Sequence, residues 1–228
     1  MKVKKKTIVL DPGHGMGDDG KWRRPLMTLS RGKVKTINKF HSHKSDNKFG
    51  FYREDIGVLD IALAAEESLI AFGYDVYLTR RDYRNCAGYL ANGNEANYKV
   101  NQWKKDNWET WRWAKMLSKT VKADAFVSVH TNAGEGKGLI GFYASMLGIP
   151  LIDSICDSIE EEFCELRSRK AKKHRYMVLR NHTRGNACLM ECGFHDSPID
   201  LEILLHKECR ELIGCALARG IHQNLLTN

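Results

Sequence analysis

Thr7-Ile8-Val9-Leu10 runs into Asp11-Pro12-Gly13-His14-Gly15, Ala125-Phe126-Val127-Ser128-Val129 into His130-Thr131-Asn132, and Ala187-Cys188-Leu189-Met190 into Glu191-Cys192-Gly193-Phe194. Each apolar run has turn signals behind it, which is how a strand buried on both faces of a parallel sheet reads. Each also ends on a residue able to bind a metal or to work beside one. In an open α/β sheet, ligands sit in the crevice beyond the carboxyl ends of the strands. Two histidines and a glutamate at three such ends can converge on one site, and a zinc centre is the natural reading of that trio.

The segments between these strands supply the helices. Acidic Glu54 and Asp55 open a helix whose Ile56, Leu59, Ala62, Leu63, Leu69 and Ile70 fall on one stripe, and Gly73 suits its C-terminal end. Tyr74 to Arg80 reads as the next strand, completing a β-α-β unit. Further helices are expected at about 107–121, 150–168 and 198–226, with short strands at Phe142-Tyr143-Ala144 and Met177-Val178-Leu179-Arg180. Trp108 and Trp111, at helical spacing, read as core packing before they read as a sugar platform. The stretch 16–52 is rich in Gly, Lys, Ser, Asn and His and exceeds ordinary loop lengths. It is expected to be a functional flap or partly disordered, with Lys33 to Ile37 as part of a small hairpin arm. The whole reads as a single α/β domain, 1–228, with a twisted, mostly parallel β-sheet and helices on both faces. No repeat, linker or second module is evident.

No apolar stretch of the 228 residues approaches the ~18–20 needed for a membrane span, so stable membrane insertion is not expected. The basic start, Met1-Lys2-Val3-Lys4-Lys5-Lys6, is followed by too short an apolar run for a signal peptide. Synthesis in the cytoplasm without an export address is the expectation. The seven cysteines, odd in number and mostly within apolar patterns, are expected to be buried free thiols, and Cys188 and Cys192 to pack in the core. A net charge of +8, clustered at 2–6, 21–35 and 167–175, is either a set of solvated faces or an attraction to an anionic polymer such as the phosphates and carboxylates of a cell envelope. No zinc-knuckle, helix-turn-helix or Walker motif points to nucleic acid.

Taken in order, Leu10-Asp11-Pro12-Gly13-His14-Gly15, Ser128-Val129-His130-Thr131-Asn132-Ala133 and Leu189-Met190-Glu191-Cys192-Gly193-Phe194 closely resemble the zinc-dependent N-acetylmuramoyl-L-alanine amidases of the amidase-3 family. Glu54 with its Ile/Leu/Ala-rich helix, Val76-Tyr77-Leu78-Thr79-Arg80, Ala123-Asp124, and Asp200-Leu201 with Leu204 extend the resemblance over residues 7 to 226. It implies that His14, Glu54 and His130 hold one zinc ion and that Glu191 is the catalytic base. The implied substrate is bacterial peptidoglycan, cut between the lactyl group of N-acetylmuramic acid and L-alanine of the stem peptide. Three protein ligands leave a coordination position for water, as a catalytic zinc requires.

The sequence departs from the family twice. The gap between the first histidine and the ligand glutamate is long, filled by Met16 to Arg53. It holds His41, His43 and Asp46 as rival ligands, and Asp55 is the nearest rival to Glu54. Arg112 is followed by Trp113-Ala114-Lys115 where the family has Ala-Asn, which bears on substrate contacts and not on the metal.

With no export signal, the resemblance implies a phage endolysin that reaches the wall after a holin opens the membrane. Two competing functions are a peptidoglycan-binding module with decayed catalysis, which retention of His14, His130 and Glu191 argues against, and a zinc peptidase or other amidohydrolase acting on another amide.

Overall fold

Central strands alternate their side chains between two hydrophobic clusters, and this alternation organises the molecule. The computed structural model describes residues 5–15, 26–37, 51–81, 110–180 and 186–227. These form a six-stranded sheet of β1 (Thr7–Pro12), β4 (Asp75–Leu78), β5 (Ala125–Asn132), β6 (Leu139–Tyr143), β7 (Lys172–Lys173) and β8 (Ala187–Phe194), in the order β4-β1-β5-β8-β6-β7. All neighbours are parallel except β6 and β8. A separate hairpin joins β2 (Leu26–Ser30) to β3 (Lys33–Ile37).

One face of the sheet carries Ile8, Leu10, Val127, Val129, Cys188 and Met190; the other carries Val9, Phe126 and Leu189. Period-two alternation puts successive residues on opposite faces, and both faces here are covered, which is why the runs are continuously apolar. The first face is covered by α1 (Glu54–Ala71), α3 (Ile149–Glu162) and α5 (Lys207–Thr227), with α5 packed on both of the others. A β-carbon on Gly214 would fall 2.3 Å from Ile61 O, and one on Gly220 would fall 2.5 Å from the Ile155 Cα. Bare glycines at both places let α5 approach its neighbours. The second face is covered by α2 (Thr110–Thr120), through Ala114 and Leu117, and by a 3-10 turn at Met177–Leu179.

Several element boundaries differ from the expectation. The expected strand at 177–180 is that 3-10 turn, with Val178 and Leu179 buried; a short apolar run does not declare its period. Helix α3 stops at Glu162, because 167–169 leave it to bond β6 through Leu139 N to Arg167 O (2.9 Å) and Arg169 N to Leu139 O (2.8 Å). The expected C-terminal helix is two: α4 (Pro198–Leu205) and α5, with His206 extended between them. Arg210 Nη1 caps the freed carbonyls of Leu204 (2.6 Å) and Leu205 (3.1 Å), while its guanidinium pairs with Asp60 (2.8 Å).

The hairpin arm closes on Arg31 and Gly32, both at positive φ (52° and 70°), as two-residue hairpin turns favour. It joins the body where Met27 and Tyr52 exchange backbone hydrogen bonds of 2.7 Å each way. Cys188 and Cys192 are buried in the core, and burial pushes both thiols up, which disfavours the thiolate a metal would need. Cys156 is buried too; Cys164 is exposed, and Cys209 and Cys215 are half-buried. Cys86, Trp108, His41, His43 and Asp46 lie outside the described residues, as do the side chains of Trp111 and Arg112. No helix among the described residues is long and apolar enough to cross a membrane.

Candidate metal centre

Strands β1 and β5 run side by side, and where β1 ends, Gly13 N still donates to Val129 O (2.9 Å). Gly13 has to be bare, since a β-carbon there would meet the His130 ring at 2.2 Å. His14 follows in the left-handed region (φ 64°), a conformation that costs an L-residue about 1–2 kcal/mol and survives only where its surroundings demand it. His130 comes from β5, and Glu54 is the first residue of α1, where the helix dipole favours a carboxylate.

The three side chains meet. Glu54 Oε1 lies 3.0 Å from His14 Nε2 and 3.3 Å from His130 Nδ1, and the two imidazole nitrogens are 3.1 Å apart. The rings stand edge to face at 89°. Burial by itself would raise the Glu54 carboxyl, but hydrogen bonds and charge from His130 and His14 outweigh it and hold the group well below its ordinary range. Burial works against a charged His130, yet Glu54 raises that ring, with smaller help from Glu191 and Asp11. Glu191 lies on β8 directly beside His130 in the β5–β8 register. It lines, with His14, Glu54 and His130, a cleft of ≈ 690 Å³ at the carboxyl end of the sheet.

The donor set fits a divalent metal. Two imidazoles and a carboxylate are a common zinc triad, and donors about 2.0–2.1 Å from a tetrahedral ion would sit about 3.3 Å from each other. The observed separations of 3.0–3.3 Å match that spacing. Among the described residues, His14, Glu54 and His130 form the group of donors close enough to share an ion.

Behind the donors lies a set of buried bonds that the sequence reading did not assign. Arg80, fully buried, donates to Pro12 O (3.0 Å), Gly13 O (2.8 Å) and Asp55 O (2.6 Å), strapping the His14 turn to the start of α1. Asp11 accepts from Thr79 Oγ1 (2.7 Å) and Ser128 Oγ (2.6 Å), locking β4, β1 and β5 together just below the site. Thr131 N donates to Glu54 Oε1 (3.3 Å), and Thr131 Oγ1 lies between Tyr52 OH (3.0 Å) and His195 Nδ1 (3.1 Å). Burial pushes the Tyr52 phenol well up, so it serves as a neutral hydrogen-bonding group. Asp55, the rival to Glu54, turns to Arg53 Nε at 2.7 Å, away from the histidines. A charged Arg80 at a strand end and a Tyr52 two residues before Glu54 were the available signals. His195, in the cleft wall, was visible only as one more histidine after Phe194.

Known proteins resemble the chain in sequence and in fold. A probable cell wall amidase, LytH of Staphylococcus aureus, is 24% identical over 219 residues, 95% of this chain; the chain spans 57% of the length of that relative. The CwlD amidase of Clostridioides difficile, solved in complex with the GerS lipoprotein, superposes with a TM-score of 0.70 at 24% identity, covering 98% of this chain and 100% of that one. The amidase AmiC2 of Nostoc punctiforme gives a TM-score of 0.66 at 22% identity over 98% of each chain. The model of the family described as N-acetylmuramoyl-L-alanine amidase matches residues 8–223, nearly all of the fold and all four site residues, and the chain belongs to that family.

Proposed function

We propose that the chain hydrolyses the amide between the lactyl group of N-acetylmuramic acid and the L-alanine of the peptidoglycan stem peptide, with zinc held by His14, Glu54 and His130 and with Glu191 as the proton-transfer group. The observation that carries this reading is the meeting of the three donors at 3.0–3.3 Å with Glu191 beside His130 in register. When bound, the zinc supplies Lewis acidity and brings the ionisation of water to about pH 7. Glu191 takes the proton of the attacking water and returns it to the departing alanine nitrogen, without which the amine would be a poor leaving group. Tyr176, Met177 and Val178 form the opposite wall, against which the substrate is laid.

The setting we propose is phage lysis, in which the chain meets the wall once the membrane has been opened. A strongly basic protein suits a polyanionic target. Digestion of purified peptidoglycan with mass analysis tests the reaction. Release of stem peptides with an L-alanine amino terminus, leaving glycan strands intact, is expected; cleavage within the glycan or the peptide would refute the reading. Co-expression with a holin tests the setting, with rapid lysis expected only when both are present.

A further inference from the structure

Next to the metal cleft lies a second one, of ≈ 890 Å³, within the range of small-ligand sites. Its lining includes Lys137, Arg167 and Arg169 together with Glu135, Glu165 and Asp196. Among the described residues, none of these three cations is in an ion pair, whereas Arg53, Arg81, Arg210, Arg219 and Lys207 each face a carboxylate. Asp196 is already engaged: its Oδ2 accepts from Gly134 N (2.6 Å) and Glu135 N (3.1 Å) and so fixes the loop after β5.

The cations are presented by ordered backbone. Arg167 and Arg169 are two apart on an extended segment bonded to Leu139 on both sides, so they share a face. The Arg169 guanidinium lies 5.5 Å from the centroid of the buried Phe194 ring. A β-carbon on Gly136 would meet Arg169 Nη1 at 2.4 Å, so the loop closes directly on that group. A charge held in place before binding loses less freedom when it captures a ligand.

The two clefts are separated by a thin ridge. Ala133 lines the first and Glu135 the second; His195 lines the first and Asp196 the second. Consecutive Cα atoms are 3.8 Å apart, so Ala133 and Glu135 are at most about 7.6 Å apart, which an extended peptide crosses in two or three residues. We infer that the cleft holding Lys137, Arg167 and Arg169 is a subsite for the carboxylate-bearing part of the stem peptide beyond the scissile bond. The inference rests on the amidase reading above. Its mixed lining favours a stem peptide, which carries carboxylates and, at a diamino acid, an amine. A phosphate polymer bears one sign and would be repelled by Glu135 and Glu165.

Two measurements test it. The first compares cleavage of N-acetylmuramoyl-L-alanyl-D-glutamate diamide with that of the N-acetylmuramoyl tripeptide ending in a diamino acid. The native protein is expected to favour the tripeptide at least tenfold in kcat/KM, through KM. In Arg167→Gln, and independently in Lys137→Gln on the exposed loop, that ratio should fall toward one, with Arg167→Lys restoring part of it. A ratio unchanged in both Gln variants overturns the subsite. The second measurement is calorimetric binding of the free tripeptide to Glu191→Gln protein, with and without Arg167→Gln. It reads the subsite even if neither substrate is cleaved, an outcome that would sink the amidase reading instead. Binding at least tenfold weaker after Arg167→Gln supports the subsite. Equal binding, or tighter binding of a poly(glycerol phosphate) than of the tripeptide, overturns it.

Discussion

On one side of the metal cleft, His14 and His130 rise from the centre of the sheet and Glu54 from the start of α1, and all three are backed by buried bonds from Arg80, Thr131 and Tyr52. On the other side, Tyr176 rests on ring contacts with Phe142 (5.2 Å) and His174 (3.9 Å), beyond the two-residue edge strand β7, and Met177 is exposed. Both sides line the same cleft, yet only the first is over-determined. A metal tolerates little error in ligand position, and second-layer hydrogen bonds supply that precision. A wall that receives a polymer can adapt by side-chain movement. The contrast locates precision at the ligands and tolerance at the substrate wall, and it can be broken by experiment.

The largest effect should come from the metal itself. Chelation is expected to abolish peptidoglycan cleavage while far-ultraviolet circular dichroism stays near native, since both hydrophobic clusters are held by apolar packing that does not include the ligands. Glu54→Ala should lose zinc in metal analysis of the purified protein, and His41→Ala and His43→Ala should keep it. A zinc-loaded Glu54→Ala protein beside a metal-free His41 or His43 variant would move the third ligand into the 16–52 stretch.

Glu191→Gln should come next. It keeps shape and burial but cannot take a proton, so kcat should fall on the order of 10²–10⁴-fold with zinc content unchanged. Loss of zinc instead would make Glu191 a ligand and exchange the roles of the two glutamates.

The supporting bonds give a direct comparison of the two sides. Arg80→Leu leaves three carbonyls without their buried donor, each worth roughly 1–3 kcal/mol, so a loss of about 3 kcal/mol or more is expected in urea unfolding. Tyr176→Ala, on the half-buried wall, should cost about 1 kcal/mol or less and show itself mainly as a several-fold higher KM. Equal destabilisation by the two would erase the distinction between the walls.

What the sequence made legible follows the same division. β1, β5 and β8 were readable because strands buried on both faces must be apolar throughout, and the residues ending them stand out as polar. The Glu54 helix was readable from its stripe. The break at His206 was not, because Leu201, Leu204 and Leu205 continue smoothly into the apolar positions of α5. What ends α4 is a guanidinium five residues past its last residue, anchored to Asp60 about 150 positions away. Arg80 reads in sequence as the polar end of a strand; that it straps two backbone segments together depends on β4 lying beside β1. The 3-10 turn at 177–179 packs Val178 and Leu179 against the second face of the sheet, and so short an apolar run has no readable period, so pattern alone gave the wrong element.

The smallest effect should be electrostatic and confined to the exposed side. Lys172, Lys173 and Arg175 are exposed on the segment that leads to Tyr176, and none is in an ion pair among the described residues. Exposed charges act over about 8–10 Å at physiological ionic strength, so they steer a polyanionic surface more than they hold a bound group. Cleavage of whole peptidoglycan is expected to fall several-fold as salt rises, and cleavage of a small soluble muramoyl-peptide to change much less. Replacing the three by Gln should flatten the first dependence while leaving zinc content and unfolding unchanged, because none of them touches the bonded side. Equal salt dependence on both substrates would place the effect within the cleft or in stability. The charge would then belong to the precise side of the comparison, and the division drawn between the walls would fail at its weakest point.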